Sequence, residues 1–180
     1  VLARPGNGEY KRYQLTDNGV SPRLAPGMGK DLVVADSDEH DEAGHITEDL
    51  DLRVKMMDKR FAKTRSLMDD AVVPTYLGPD NPEVLFVCWG SSKGPVEEAA
   101  QMLNAQGTSA ASLHFGQVWP LAPEHFLDRL IGAGQTICVE GNLTGQFSRL
   151  LRLETGFDCT RRILRYDGLP FTPQHILSEF

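Results

Sequence analysis

At 180 residues, with a net charge of −7 and 41 % hydrophobic residues, the chain carries enough apolar material for one ordinary domain and an additional arm. The acidic balance excludes general nucleic-acid binding, which needs clustered Lys and Arg against phosphate, and no apolar run approaches the roughly 20 residues of a membrane-spanning helix. Three cysteines, Cys88, Cys138 and Cys159, lie far apart without a CxxC pair. This fits a reducing cytoplasm better than a disulfide scaffold, and it excludes a self-contained four-cysteine iron–sulfur site. The chain opens at Val1 without an obvious first element and is expected to be a portion of a longer protein.

Residues 1–35 are rich in glycine and contain Pro5, Pro22 and Pro26. Proline holds itself and the preceding residue in extended geometry, so this stretch reads as an extended arm with one short strand at Leu32–Ala35. Within it, GVSPRLAPG presents Arg23 from a stiff backbone. On composition alone this is a surface arginine; the alternative is a two-pronged carboxylate binder.

The next segment, DSDEHDEAGHITED, is acidic and contains no Lys or Arg. His40 and His45 stand among five carboxylates, yet they are five residues apart, outside the HExxH pattern, and the EF-hand positions are not filled. A solvated or interface-facing loop without metal is expected. A helix follows from about Glu48 to Met68, with Thr47 as its N-cap, and its apolar stripe is Leu50, Val54, Met57, Phe61 and Met68. It must lie on this chain or on a partner.

From Val72 onward the pattern alternates strand and helix. Val72–Leu77 is an edge strand. Val84–Trp89 is a continuous apolar run, as in a strand covered on both faces. Further strands are expected at Ser109–His114, Thr136–Glu140 and Arg162–Tyr166. Helices are expected after WGSSKG with Pro95 at the first position, over Pro123–Ile131, around Leu143–Leu151, and from a Thr172 cap through Phe180. Such alternation predicts an α/β fold with a mostly parallel sheet between two helical layers.

Ligands of open α/β sheets bind at the carboxyl ends of strands, and two loops stand there. In WGSSKG, residues Gly90, Ser91, Ser92 and Lys93 make either a tight strand-to-helix turn, the favoured reading, or an anion cradle. In EGNLTGQ, Glu140, Asn142 and Gln146 either form a site or subunit contact, or satisfy the turn and the helix start; the second is favoured. No catalytic Ser/His/Asp or Cys/His set is assignable. Cys88 and Cys138, inside apolar strands, read as packing thiols, and His114 at a strand end reads as a satisfied histidine.

Taken in order, YKRYQLTDNGVSPRLAPG, DSDEHDEAGHITED followed by LRVKMMDKR, VCWGSSKGPVEEA, LHFGQVWPL, VEGNLTGQFSRLL and RYDGLPFTPQHI resemble the C-terminal half of the α subunit of 2-oxoglutarate (2-oxoacid):ferredoxin oxidoreductases, over nearly the whole chain. The resemblance implies three regions: an arm (1–47) leaving a pyrimidine-binding domain that is absent here, a linking amphipathic helix (48–70), and a three-layer transketolase C-terminal-like domain (71–180) with one antiparallel edge strand. It implies an enzyme that oxidatively decarboxylates a 2-oxoacid with thiamine diphosphate, iron–sulfur clusters and CoA, and reduces ferredoxin. The cofactor diphosphate end and the clusters would lie on the β subunit, so this chain alone is expected to be inactive and to bind no cofactor. Its partners would be the β subunit, the remaining α-subunit domains and, through the complex, ferredoxin. In that setting Arg23 would face the substrate carboxylate. A pure assembly module, a stand-alone anion- or nucleotide-binding domain, and the equivalent domain of a transketolase or dehydrogenase E1 component are the other readings; the HITED and SPRLAPG blocks argue against the last.

Overall fold

A computed structural model describes residues 10–25 and 27–180. Pro5, the glycines before Tyr10, and Pro26 lie outside the described residues. The chain divides into two compact units, one ending at Asp69 and one spanning Asp70–Phe180.

The first unit contains helices α1 (Leu50–Ala62) and α2 (Thr64–Asp69), so the long helix expected from sequence is broken at Lys63. Its cap is Asp49, not Thr47: the Asp49 side chain accepts from the backbone N–H of Asp51 and Leu52 at 2.9 and 3.1 Å. Both residue types cap well. Thr47 is drawn off because its own N–H bonds Glu39 O at 2.9 Å, closing a tight turn over Glu39–Thr47. That turn contains the antiparallel bridge His40–Ile46. The strand expected at Leu32–Ala35 does not form: among the described residues none pairs with it, and Leu32 is 84 % exposed.

Of the two surfaces the apolar stripe of α1 could lie on, the described residues of this chain do not provide one. Met56 is 1 % exposed, whereas Leu50, Val54 and Phe61 are 75, 60 and 68 % exposed. The polar residues beside Met56 provide the reason. Lys59 Nζ donates to Gly19 O at 3.2 Å, and Arg60 pairs with Glu39 at 2.6 Å, so ionic contacts rather than the apolar stripe turn the helix inward.

The second unit is a five-stranded sheet: β1 (Thr75–Leu77), β2 (Val84–Trp89), β3 (Ala110–Phe115), β4 (Gln135–Glu140) and β5 (Arg161–Leu164), in the order β1-β3-β2-β4-β5. The contacts β2·β3, β2·β4 and β4·β5 are parallel, and β1 joins β3 antiparallel at one edge. Side chains alternate across the pleat. Val84, Phe86, Cys88, Ile137 and Val139 face α3 (Lys93–Ala105) and α6 (Pro173–Ser178). Leu85, Val87 and Cys138 face α4 (Leu127–Ile131) and α5 (Gln146–Thr155). This is the expected three-layer architecture, a mostly parallel sheet with one antiparallel edge strand between helices.

Local differences have local causes. Helix α3 starts at Lys93, after a 3-10 turn at Gly90–Ser92, so Pro95 is its third residue; the first-turn N–H groups have no helical partner, and proline is tolerated at any of them. The helix expected from Pro123 begins as a 3-10 turn, with α4 starting only at Leu127; Ile131 points outward, and Phe180 is half-covered with its ring edge-on to Phe86. Among the described residues no helix is long and apolar enough to cross a membrane.

The contrast between α1 and the central strands can be measured. Strands β2 and β4 are covered on both faces, while α1 buries one apolar side chain fully. Amide hydrogen exchange of the isolated chain should therefore be markedly faster in α1 than in Val84–Trp89 and Gln135–Glu140; equal protection would contradict this.

Candidate functional site

Arg23 is exposed on a loop of the first unit. The loop is held from several directions. Gly19 N bonds Thr16 O at 3.0 Å, Val20 N bonds Asn18 Oδ1 at 3.0 Å, and Ser21 Oγ donates to Gln14 O at 2.8 Å. Gly19 has φ +73°, and a Cβ there would collide with the Lys59 carbonyl, so the close approach of loop and helix requires glycine. Leu24, immediately after Arg23, is 3 % exposed and anchors the loop.

The acidic segment is less solvated than its composition suggests. Glu39 bonds Arg53 at 3.0 Å and Arg60 at 2.6 Å. The Arg60 guanidinium, with Arg53 behind it, holds the Glu39 carboxyl below the usual carboxylate range despite its desolvation. Asp41 Oδ1 accepts from Ala43 N and His45 N, both at 2.9 Å. Glu42 accepts from Leu15 N at 2.8 Å and Lys11 Nζ at 3.1 Å. His40 is buried with its ring against Tyr13, centroids 3.8 Å apart. These side chains are spent on tying the segment together. Among the described residues no group of three or more His, Cys, Asp or Glu is arranged to hold a metal ion.

The second unit brings the two loop motifs to the carboxyl ends of adjacent strands. After β2, Ser92 turns inward and its Oγ donates to Trp89 O at 2.7 Å; Lys93 Nζ lies 4.0 Å from Glu97; Gly90 O accepts from His114 Nε2 at 3.1 Å. Gly90 and Ser91 stay on the rim. After β4, Glu140 has no exposed surface. Its carboxylate accepts from Phe147 N at 2.7 Å, Ser148 N at 2.9 Å and Asn142 Nδ2 at 2.9 Å. Asn142 Oδ1 in turn accepts from Thr144 N and Gln146 N at 3.2 and 3.1 Å, while the Gln146 side chain is exposed. Gly145, the residue before α5, is left-handed and has no side chain to cap with, so Glu140 serves as the cap from the neighbouring strand. Burial by itself would raise the Glu140 pKa; the hydrogen bonds from Asn142, Phe147 and Ser148 outweigh it and bring the carboxyl below its ordinary value.

Outside these strand ends lies a cleft of about 610 Å³, lined by Trp89, Ser91, Gly141, Arg165, Tyr166 and Phe171 among others. Sequence reasoning missed Arg165 and Tyr166 because RILRY reads as continuous strand. Strand β5 stops at Leu164, opposite Glu140 at the end of β4; Arg165 N still reaches Glu140 O at 3.1 Å, and Tyr166 has no strand partner among the described residues. Arg165 is internally engaged, with Nε on Asp167 at 2.9 Å and Nη1 on Pro170 O at 2.7 Å; its guanidinium holds Asp167 down to about 2. The Asp167-Gly168 pair, a turn signal, is the sequence feature that could have marked this wall.

No family model matches the chain. It is 33 % identical over 175 residues to the α subunit of 2-oxoacid:ferredoxin oxidoreductase 1 of Sulfurisphaera tokodaii, and 35 % identical over 176 residues to the α subunit of 2-oxoacid:ferredoxin oxidoreductase 1 of Aeropyrum pernix. Each match covers 94 % of this chain but 27 % of the relative, so the chain spans about a quarter of their length. Among solved structures, 2-oxoglutarate:ferredoxin oxidoreductase from Magnetococcus marinus, with 2-oxoglutarate, coenzyme A and succinyl-CoA bound, superposes with a TM-score of 0.75 at 31 % identity, covering 99 % of this chain and 31 % of that one.

The Glu140 cap gives a mutational test. Glu140→Gln keeps the shape but replaces one acceptor oxygen with an NH₂ group facing backbone N–H, and should cost about 3 kcal/mol of stability. Because the folded-state pKa is lowered, the wild-type contribution is fully present above the unfolded-state value near 4.3 and is lost as pH falls through the folded-state value. Denaturant melts at stepped pH should show wild type losing its advantage over Glu140→Gln on acidification below about pH 4.3. A constant gap across that range would contradict the charged-cap reading.

Proposed function

Since the chain belongs to the 2-oxoacid:ferredoxin oxidoreductase α-subunit family, we propose that it serves as the C-terminal region of such a subunit, in an assembled enzyme that decarboxylates a 2-oxoacid, joins the acyl group to CoA and passes two electrons to ferredoxin. In this reading the chain binds and assembles; it supplies no group to the reacting bonds.

The residues present do not fit the cofactors of that chemistry. Cys88, Cys138 and Cys159 are all buried within the sheet unit, and burial pushes the Cys88 thiol up to about 12. None is placed to hold a cluster iron as thiolate. Glu140, the one fully buried carboxylate among the described residues, is engaged in capping α5. Thiamine diphosphate and iron–sulfur clusters are accordingly assigned to other parts of the enzyme, with the β subunit, the remaining α-subunit domains and ferredoxin as partners. A cytoplasmic setting accords with three unpaired thiols.

The observation that carries the reading is Arg23, an exposed guanidinium on an anchored loop. Its planar fork matches the 2-oxoacid carboxylate, the group that leaves as CO₂, and the stiff support lowers the ordering cost of binding. The exposed apolar residues of α1 support an assembly role for the same unit, since Leu50, Val54 and Phe61 form a face that this chain leaves open. The loops carrying Gly90, Ser91, Ser92, Lys93, Glu140, Asn142 and Gln146 are assigned to subunit contact: Ser92, Glu140 and Asn142 are committed to internal bonds, leaving backbone and the exposed Ser91 and Gln146 at the rim.

In the assembled oxidoreductase, Arg23→Ala should raise KM for the 2-oxoacid by about 30-fold or more, and Arg23→Lys, which keeps the charge but loses the fork, by an intermediate factor. KM for CoA and αβ assembly on gel filtration should not change. Weakened assembly with an unaltered KM would instead make Arg23 a partner contact, and no change in either would make it an ordinary surface arginine.

A further inference from the structure

Arg23 is flanked by Pro22, which has no N–H, and Leu24, whose side chain is buried. The two peptide groups on either side of Arg23 meet the same atom. The Tyr10 hydroxyl accepts from Leu24 N at 2.8 Å and donates across a longer 3.4 Å to Pro22 O. A phenol oxygen can do both at once. The Pro22 carbonyl fixes the peptide plane before Arg23, and the Leu24 N–H fixes the plane after it. Rotation about either backbone torsion of Arg23 therefore breaks one of the two bonds. Asn18 on Val20 and Ser21 on Gln14 hold the loop upstream of those torsions, and Arg23 itself stands at a β-bridge, so the hydroxyl adds to a backbone that is already partly held.

We propose that Tyr10 is a positioning residue for substrate binding: its hydroxyl fixes the direction in which Arg23 projects, and so aligns the guanidinium with the carboxylate of a 2-oxoacid. This rests on the reading of Arg23 given above. Tyr10 need not touch the substrate. It sets the angle at which the fork arrives, and two-pronged binding depends on that angle in a way that simple charge attraction does not.

The test is a double-mutant cycle in the assembled enzyme. Tyr10→Phe removes only the hydroxyl and should raise KM for the 2-oxoacid roughly three- to tenfold, the size of one or two lost neutral hydrogen bonds. It should leave kcat within about twofold and KM for CoA unchanged, as expected when binding alone is impaired. In an Arg23→Ala background the same change should have no further effect. If Arg23→Ala leaves KM unaltered, the carboxylate reading itself falls. If Arg23→Ala raises KM but Tyr10→Phe does not, or if Tyr10→Phe has its full effect without Arg23, the positioning role falls and the carboxylate reading stands. A loss of both kcat and CoA binding in Tyr10→Phe would mark general damage and also count against positioning. Independently of any variant, the Leu24 amide of the unmodified chain should be protected from hydrogen exchange; free exchange would mean the clamp does not hold, and would overturn the proposal.

Discussion

Glu140 stands at the end of the interior strand β4 with no exposed surface, and burying a carboxylate is tolerable only when its oxygens are satisfied. Here they are, by two N–H groups of the first turn of α5 and by Asn142. Those N–H groups would otherwise be orphans at a helix start, so each side of the contact removes the other's cost. Much follows from it. The helix must begin where the strand ends, the intervening turn is drawn tight, and Phe147 and Leu151 are directed into the cluster with Phe115 and Phe126. Next to it Arg162 Nε reaches Ser148 Oγ at 2.6 Å, tying β5 to the same helix start. One charge thus sets the spacing of strand, turn and helix at the end of the sheet where the loops gather.

The smaller unit solves a different problem by similar means. It has little apolar material to bury, and its order comes from polar contacts: Glu39 between two arginines, Glu42 between a lysine and a backbone N–H, and Asp41 closing its own turn. Individually exposed ion pairs contribute little. Glu39 is the exception, because both its oxygens meet guanidinium groups and its side chain is mostly covered. This arrangement leaves the apolar face of α1 outward, so the helix is oriented by its charges and not by its hydrophobic stripe.

The sheet was legible because VLFVCW is apolar without interruption, a pattern that requires cover on both faces, and Ile137, Cys138 and Val139 make a shorter run of the same kind. The alternation of strands and helices then left few topologies. What escaped was mostly non-local. Nothing in the sequence near Glu140 announces that its partners are the N–H groups seven and eight residues later. Thr47 and Asp49 are equally good caps on paper, and only the Glu39–Thr47 turn decides between them. Arg165 and Tyr166 look like strand because a strand's end is dictated by its neighbour, and β4 runs out at Glu140. Arg23 could be singled out as a stiffly held arginine, but the phenol that holds it comes from Tyr10, and no spacing rule connects the two. The stripe on α1 could be read as apolar but not assigned to this chain or a partner, since periodicity shows which residues share a face but not what that face meets.

The two margins of the sheet limit how other chains can attach. Strand β1 is three residues long and is followed by Gly78, whose φ of +133° takes the backbone out of line. Strand β5 is four residues long and opens with two arginines; the first, Arg161, grips the carbonyls of Glu179 and Phe180 at 2.8 Å, bringing the tail of the chain alongside. Short, charged or covered margins resist strand-by-strand extension. Extension of the sheet by a further strand is therefore disfavoured at both edges, and the helical layers and the loops beyond the strand ends are the surfaces left for contact. The same feature disfavours copies of the chain zipping together edge to edge.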